Sequence, residues 1–444
     1  MVRAGKMLAF VACAAPLIAC GGASSSVLPA GPARGVIGHV VIIVQENRSF
    51  DNLFEGAPGA DTRSYGYGSH GNKITLKPVG LAAAWDLQHT FASFLLTCNG
   101  RGMYPGTDCR MNGFDRERVT CGGPGELPCP NPHPQYAYVP RNETKPYFEM
   151  AREYVLADRM FASNLDESSF VSHQYIIAGQ ASAALNYPLG GPWGCGGGSE
   201  DTIATLTQQR TIGPNISPCL NNETLADELD AAGLSWKYYT ASLLGNGGYW
   251  NAFAAIRHIR YGSDWKNDVI SPQTRFFGDI KKKGLAAVTW ITPTCQNSDH
   301  AGCDSDSGPK WVASLVNAIG ESPDWKSTAI FIFWDDPGGW YDHVAPKMRD
   351  YDGLGFRVPL LVVSPYAKEG YVSHVDYEHG SLLRFVEDRF GLATLSAADA
   401  RATSPEADCF DFLQAPRKFV PIQTTMTERD FEKQPLDRRI PDSE

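Results

Sequence analysis

The sequence predicts an α/β fold with three layers, helices covering both faces of a mostly parallel central sheet. Two apolar runs carry that expectation, His39–Val44 and Thr328–Trp334, each continuous rather than alternating, as strands buried on both faces are. Each run stops abruptly at polar side chains, Glu46-Asn47-Arg48-Ser49 in one case and Asp335-Asp336 in the other. Ligands in open α/β sheets collect beyond the carboxyl ends of strands, so both polar segments fall where a site is expected. A third observation is the run of segments with helical spacing that alternates with short strand-like runs along the chain.

From the start, residues 1–19 have the make of an export signal. Arg3 and Lys6 form the positive region, and Met7 to Ile18 is apolar but too short for a permanent span. Leu17-Ile18-Ala19-Cys20, followed by two glycines, resembles a bacterial lipobox, in which Cys20 is lipidated and becomes the mature N-terminus. Ordinary cleavage near Ala23 is the other reading. Residues 20–35, rich in Gly, Ser, Ala and Pro, suit a lipidated tether. No later stretch of about 18 apolar residues follows. The expected location is therefore the bacterial cell envelope, lipid-anchored through Cys20 at the outer membrane or surface, or released from it.

The 444 residues carry a formal charge of −10 and 43% hydrophobic residues, enough apolar content for a large core. Lys281-Lys282-Lys283 is the one short basic run, so the electrostatics exclude nucleic acid as a partner. No protein partner is predicted. Residues 36–395 form the expected catalytic domain, and 396–444 a polar, Pro-rich extension expected to pack loosely.

Glu46 and Asn47 end the first strand with two oxygen donors, which suits a hard cation. Asp335 and Asp336 end the second. Adjacent carboxylates need a cation or a cationic side chain, although capping a helix or accepting from Arg would also satisfy them.

Between these, residues 55–145 are rich in Gly, Pro and Asn and predict long loops over the carboxyl edge. Eleven cysteines, read in an exported chain, predict disulfides. Cys195/Cys219 and Cys295/Cys303 stand as spaced pairs, Cys98, Cys109, Cys121 and Cys129 crowd one region with open connectivity, and Cys409 is left over. A zinc cluster is the weaker reading of the four, which lack any Cys-x-x-Cys knuckle.

Tyr147 to Phe161 has helical spacing through Phe148, Ala151, Tyr154 and Val155. Asn164 to Gln180 reads as a cap followed by a helix, with Ser168 and Ser169 at its start. A helix N-terminus offers free N–H groups and the positive end of the dipole, which suits an anionic phosphate and a hydroxyl that attacks it. Downstream, Leu225–Leu234 is amphipathic, Ser235–Tyr239 and Val288–Ile291 read as strands, and His300 lies beyond the second of these. Lys310–Ile319 reads as a helix, Val358–Ser364 as a strand and Glu378–Phe390 as an amphipathic helix.

The Glu-Asn-Arg-Ser-Phe-Asp segment at 46–51, together with Trp-Asp-Asp-x-Gly-Gly-x-Tyr-Asp-His at 334–343, resembles the bacterial phosphoesterase family of phospholipases C and acid phosphatases. The resemblance covers about 37 to 393 and implies an alkaline-phosphatase-like fold. It implies Ser169 as nucleophile, followed by an aromatic residue, Phe170, and by Tyr175 six positions on. Glu167-Ser168 depart from the Gly-Pro expected there, and Ser172 stands where many phospholipase-like members have Asn. It also implies phosphate-pocket roles for His89 in Trp85–His89, for Asp115 in Met111–Asp115 (Asn112 replacing a more usual Asp) and for His300.

The expected function is hydrolysis of phosphate esters through a phospho-serine intermediate, of the acid-phosphatase type. One divalent metal ion (Ca, Mg, Mn or Zn) is expected on Glu46, Asn47, Asp335, Asp336 and Ser169, with Arg48 offsetting charge. Ser169, His89 and His300 are the catalytic candidates, and His89, His300 and Asp115 the substrate-binding ones. The substrate is a small phosphate ester or a phospholipid. A phospholipase C releasing diacylglycerol is the alternative, and a non-catalytic surface lipoprotein stands behind both. His343 is expected to be structural.

Overall fold

A computed structural model describes residues 1–2, 36–245 and 247–440; the leader from residue 3, Cys20 and the tether lie outside the described residues. The main sheet is built from β1 (His39–Gln45), β2 (Val155–Phe161), β3 (Trp236–Tyr239), β4 (Val269–Ile270) and β5 (Val288–Ile291). It is completed by β6 (Thr328–Trp334), β7 (Arg357–Val363), β8 (Tyr371–Ser373) and β9 (Tyr377–Glu378). Their spatial order is β4-β3-β5-β1-β6-β7-β2-β8, with β9 also paired to β2. All pairings are parallel except those of β7, which runs against both β6 and β2. The expected α/β architecture with a mostly parallel sheet is present.

The two long apolar runs are neighbours. β1 pairs with β6 from His39↔Thr328 to Gln45↔Trp334, so Glu46 and Asp335 leave the sheet at the same level. Both strands are buried from end to end apart from His39, which accounts for their lack of alternation.

The helices are α1 (Phe50–Phe54), α2 (Phe91–Cys98), α3 (Lys145–Glu153) and α4 (Ser169–Ala178). They continue with α5 (Leu225–Ala231), α6 (Arg275–Lys283), α7 (Gly308–Gly320) and α8 (His379–Phe390). α3 and α6 pack beside α7, while α4 packs beside α5 and α8, giving the two helical layers.

Two expectations fail. The helical spacing from Tyr147 holds only to Glu153; the chain breaks at Tyr154 and Val155–Phe161 becomes β2. Pairing to β7 on one side and β8 on the other satisfies that backbone on both edges, and tertiary pairing outweighs local periodicity. The C-terminal segment does not pack loosely. Cys409, Phe410, Ile422 and Phe431 are buried, with Phe431 5.1 Å from Trp311 and Phe419 5.0 Å from Trp325 between ring centres. Aromatic residues spaced through a polar segment are enough to tie it to the core.

The four disulfides are Cys98–Cys109, Cys121–Cys129, Cys195–Cys219 and Cys295–Cys303, with Cys409 a buried free thiol. The two spaced pairs are joined as expected, and the crowded four pair in chain order.

Candidate active site

β1 and β6 deliver the acidic residues, and β2 delivers the hydroxyl. After β2 the chain runs beside residues 352–356, through Ala162 N to Phe356 O at 3.0 Å and Leu165 N to Asp352 O at 2.8 Å. Because β7 is antiparallel, its carboxyl end points away from this edge. The segment after β2 therefore reaches past β7 and sets Ser169 against the ends of β1 and β6.

Asp166 holds the approach. Its Oδ1 accepts from Asn164 Nδ2 (2.8 Å) and Ser168 N (3.1 Å), with Ser168 Oγ 3.2 Å away, and its Oδ2 accepts from Asn186 N (2.8 Å). Burial pushes this carboxyl up to about 6 despite those donors. Ser168 stands at the N-cap, yet its hydroxyl does not cap the helix; it donates to Asn186 O at 2.8 Å. Glu167 has φ 56°, a left-handed backbone that favours glycine, which accounts for the Gly expected there. Its buried carboxyl is raised well above the usual range, by burial first and then by Glu117.

Ser169 opens α4. Its Oγ lies 3.3 Å from Glu46 Oε2 and 3.3 Å from Asp336 Oδ2. Asn47 Nδ2 lies 3.2 Å from Asp336 Oδ2, 3.5 Å from Ser169 Oγ and 2.9 Å from His89 Nε2. Asn47 N donates to Asp335 Oδ1 at 3.3 Å. Glu46, Asn47, Ser169, Asp335 and Asp336 thus converge and are all buried. The turn that follows is tight. Gly338 (φ +60°) donates its N–H to Asp336 Oδ1 at 2.8 Å, and a Cβ there would sit 2.4 Å from Asn47 O.

The cluster also contains a residue that sequence reasoning missed. His173 Nε2 is 2.9 Å from Glu46 Oε1 and 3.6 Å from Asp335 Oδ2. The signal was available, since residues four apart on a helix share a face and His173 is four after Ser169. Ligand atoms of Glu46, His173 and Asp335 all lie within 4.8 Å of one another.

These residues fit a cation. Three carboxylates in a buried cluster are unfavourable without positive charge. Two oxygens of these residues, Asn47 Oδ1 and Asp335 Oδ2, are buried without a hydrogen-bond donor.

The predicted histidines are adjacent. His89 and His300 rings lie 5.5 Å apart, and the Trp250 ring is 5.6 Å from His300. His89 Nδ1 faces Leu87 O at 2.8 Å, and His300 Nδ1 faces Ala301 O, with Asp86 Oδ2 at 3.6 Å. A carbonyl can only accept, so both Nδ1 atoms carry hydrogen. An aromatic group continues this wall, with Trp193 6.0 Å from Phe170, 5.9 Å from Tyr187 and 5.3 Å from Tyr249 between ring centres.

Asp115 accepts from Ser69 N (2.9 Å) and Ser69 Oγ (2.8 Å). Its bonds fasten a loop. Arg48 turns from the carboxylates and donates to Asp299 O (2.7 Å), Asn52 Oδ1 (3.2 Å) and Leu81 O (3.4 Å), its guanidinium 4.6 Å over the Trp340 ring. Burial lowers this guanidinium to about 10.

His343 bridges Asp51 (2.6 Å) and Asp61 (3.0 Å). Arg357 completes that network on Asp342 (2.9 Å) and Asp51 (3.3 Å). Asp51, Asp342 and His343 could also gather a cation, but Arg357 already supplies their counter-charge.

The site thus sets a serine hydroxyl at a helix N-terminus among buried carboxylates, at the carboxyl edge of an α/β sheet. The chain belongs to the phosphoesterase family, whose match spans residues 37–393. It is 28% identical over 418 residues to a non-hemolytic phospholipase C of Burkholderia pseudomallei, covering 82% of this chain and 57% of that protein. It is 26% identical over 447 residues to phospholipase C B of Mycobacterium tuberculosis, covering 86% and 78%. The chain thus spans little more than half the length of the Burkholderia relative. A solved alkaline phosphatase superfamily protein from Vibrio parahaemolyticus overlaps 84% of this chain and 72% of its own, at 11% identity and a TM-score of 0.38. Hydrolysis of phosphate esters is the chemistry of this family.

Among the described residues no helix is long and apolar enough to cross a membrane.

Proposed function

We propose that the protein hydrolyses phosphate esters through a covalent phospho-serine intermediate on Ser169. The observation that carries this reading is the hydroxyl itself, 3.3 Å from carboxylates at the ends of two different strands and at the first position of a helix. A divalent cation held by Glu46, Asn47, Asp335, Asp336 and Ser169 would supply the charge that favours the ionised hydroxyl and offsets the phosphoryl oxygens. An oxygen set favours Ca, Mg or Mn, and the imidazole of His173 beside Glu46 makes Zn compatible as well.

Ser169 gives its hydroxyl proton to a carboxylate beside it, Glu46 or Asp336 at 3.3 Å, its Oγ attacks phosphorus in line, the bond from phosphorus to the leaving oxygen breaks, and the leaving alkoxide takes up a proton. The N–H groups opening α4 face the phosphoryl oxygens. His300 borders the same space, where it orients those oxygens or delivers the proton to the leaving alcohol, and His89 takes that role only after its Nε2, which accepts from Asn47, takes up a proton. Water then cleaves the phospho-serine, returning the hydroxyl and releasing the phosphate product. Asp115, tied to Ser69, has no part in this scheme.

An acid-phosphatase-type reaction on a phosphomonoester is the primary reading. The phospholipase C reading has specific support, since the matching relatives carry that name. A panel of p-nitrophenyl phosphate, bis-p-nitrophenyl phosphate and phosphatidylcholine, run with and without chelator, separates them. Phosphate release from the monoester supports the first, and diacylglycerol from the lipid the second. Turnover of neither, or turnover indifferent to chelator after metal stripping, refutes the scheme.

For its location, the reading is export, with four disulfides as the support, and a lipid on Cys20 as the anchor. Cys20→Ser should abolish palmitate labelling and membrane partition; unchanged labelling rejects the anchor.

A further inference from the structure

The C-terminal segment is tied to the loop that carries His300. α7 fixes its approach: Asn317 Oδ1 accepts from Ile422 N (2.8 Å), Asn317 Nδ2 donates to Ile422 O (2.9 Å), and Ser314 Oγ donates to Met426 O (3.0 Å). A short helix at Glu428–Glu432 then sets Phe431 against Trp311. From there the chain runs on through Gln434, Asp437 and Arg439, each of which bonds the loop. All three lie beyond residues 37–393, the span that matches the family.

The loop is the stretch closed by Cys295–Cys303. The end of β1 grips it first. Gln45 Nε2 donates to Asn297 O (3.1 Å), Asp299 N donates to Gln45 Oε1 (3.1 Å), and Arg48 Nε donates to Asp299 O (2.7 Å). The C-terminal segment supplies the second grip. Asn297 Nδ2 donates to Gln434 Oε1 (2.8 Å) and Gln434 Nε2 to Asn297 Oδ1 (3.0 Å), an amide pair closed on both sides. Asp437 Oδ2 accepts from Gln296 N (2.8 Å), an N–H that the short turn at Cys295–Asn297 leaves without an internal partner. Arg439 neutralises that carboxylate at 2.9 Å and also donates to Cys303 O. Residues 296, 297 and 303 are thus held on either side of His300, whose own N–H donates to Ser298 Oγ at 3.3 Å. The ring's place follows the loop's.

We propose that Gln434 and Asp437 are positioning residues for the reaction: they hold the Cys295–Cys303 loop so that His300 meets the phosphoryl group. The C-terminal segment then belongs to the reaction machinery although it lies outside the family domain. This rests on the phosphoesterase reading and on the place of His300 in it. A shift of about 1 Å in a group that meets the reacting atoms can cost up to roughly 10²-fold in rate.

The test is a kinetic comparison of the full chain, on whichever substrate of the panel above the parent turns over. It takes four proteins: the parent, Gln434→Ala with Asp437→Ala, His300→Ala, and all three changes together. The paired change should lower kcat about tenfold or more, with bound metal and far-UV circular dichroism unchanged. In the His300→Ala background the same pair should cost less than about twofold, because the histidine that it positions is gone. Hydrogen exchange in the paired variant should quicken over residues 296–303 and stay unchanged in β1. If the paired variant does not fold, Gln434→Ala alone decides by the same comparison. Unchanged turnover, an equal loss with and without His300, or unchanged exchange in the loop overturns the proposal. A parent that turns over no phosphate ester is a separate failure, that of the reading above, and is seen before any variant is compared.

Discussion

Asn47 turns its side-chain nitrogen to His89, Nδ2 to Nε2 at 2.9 Å, while His89 Nδ1 gives its hydrogen to Leu87 O. Asn47 Nδ2 is a donor, so His89 in this state is the neutral acceptor. One amide thereby fixes a histidine tautomer. Asn47→Asp replaces that donor by a carboxylate beside Asp336, and kcat/KM should fall by roughly 10²-fold or more. His89→Gln should lower kcat by about 10²-fold with metal content unchanged. Normal turnover in both variants would remove His89 from the mechanism.

Ser169 and Ser168 separate nucleophile from scaffold. Ser169→Ala should cost roughly 10³-fold or more in turnover while the acids retain metal. Ser168 bonds Asp166 and Asn186 rather than the substrate side, so Ser168→Ala should cost about 1 kcal/mol of stability and little activity. Asp335→Asn should lower bound metal, read by elemental mass spectrometry, with activity partly restored at high metal concentration. Active Ser169→Ala with intact metal would mean that water, not serine, attacks phosphorus.

The Cys295–Cys303 disulfide spans the loop that carries His300. A closed loop this short contributes roughly 2–3 kcal/mol by chain entropy. Replacing both cysteines by serine should lower the unfolding midpoint and reduce turnover more than it weakens metal binding. Gln434 and Asn297 exchange two hydrogen bonds (2.8 and 3.0 Å) against this loop, so the loss should be partial. Activity equal to the parent's would show that His300 needs no such support.

Asp352, buried beneath the donated hydroxyl of Tyr175, is pushed up to about 7 by burial. A carboxyl raised on folding holds its proton more tightly in the native state. Its stabilisation is therefore complete below the unfolded value near 4 and is lost as pH rises through about 7. Asp352→Asn should remove this component. The parent's stability relative to the variant should decline by an amount on the order of 2–4 kcal/mol from pH 4 to pH 8, measured by denaturant unfolding. A flat difference across that range would refute the assignment.

The legible parts of this chain were those fixed by local chemistry. Two unbroken apolar runs ending in acids located β1, β6 and the edge they share, and the spaced cysteines located two disulfides. What escaped depended on distant partners. β2 has helical spacing in sequence and becomes a strand because β7 and β8 bracket it. Arg48 adjoins two cluster residues in sequence, yet carbonyls and Trp340 draw its side chain elsewhere. His173 lay within reach, four residues after the nucleophile, and only its distance to Glu46 made its place in the cluster evident.

Gly338 touches the other motif directly, since any side chain there would strike Asn47. Segments nearly three hundred residues apart are thus moulded against each other, and neither can vary in shape alone. Grafting the turn after β6 from a distant relative into this chain should fail unless the turn after β1 comes with it. In descent, the two motifs would be inherited as one unit, changing together or not at all.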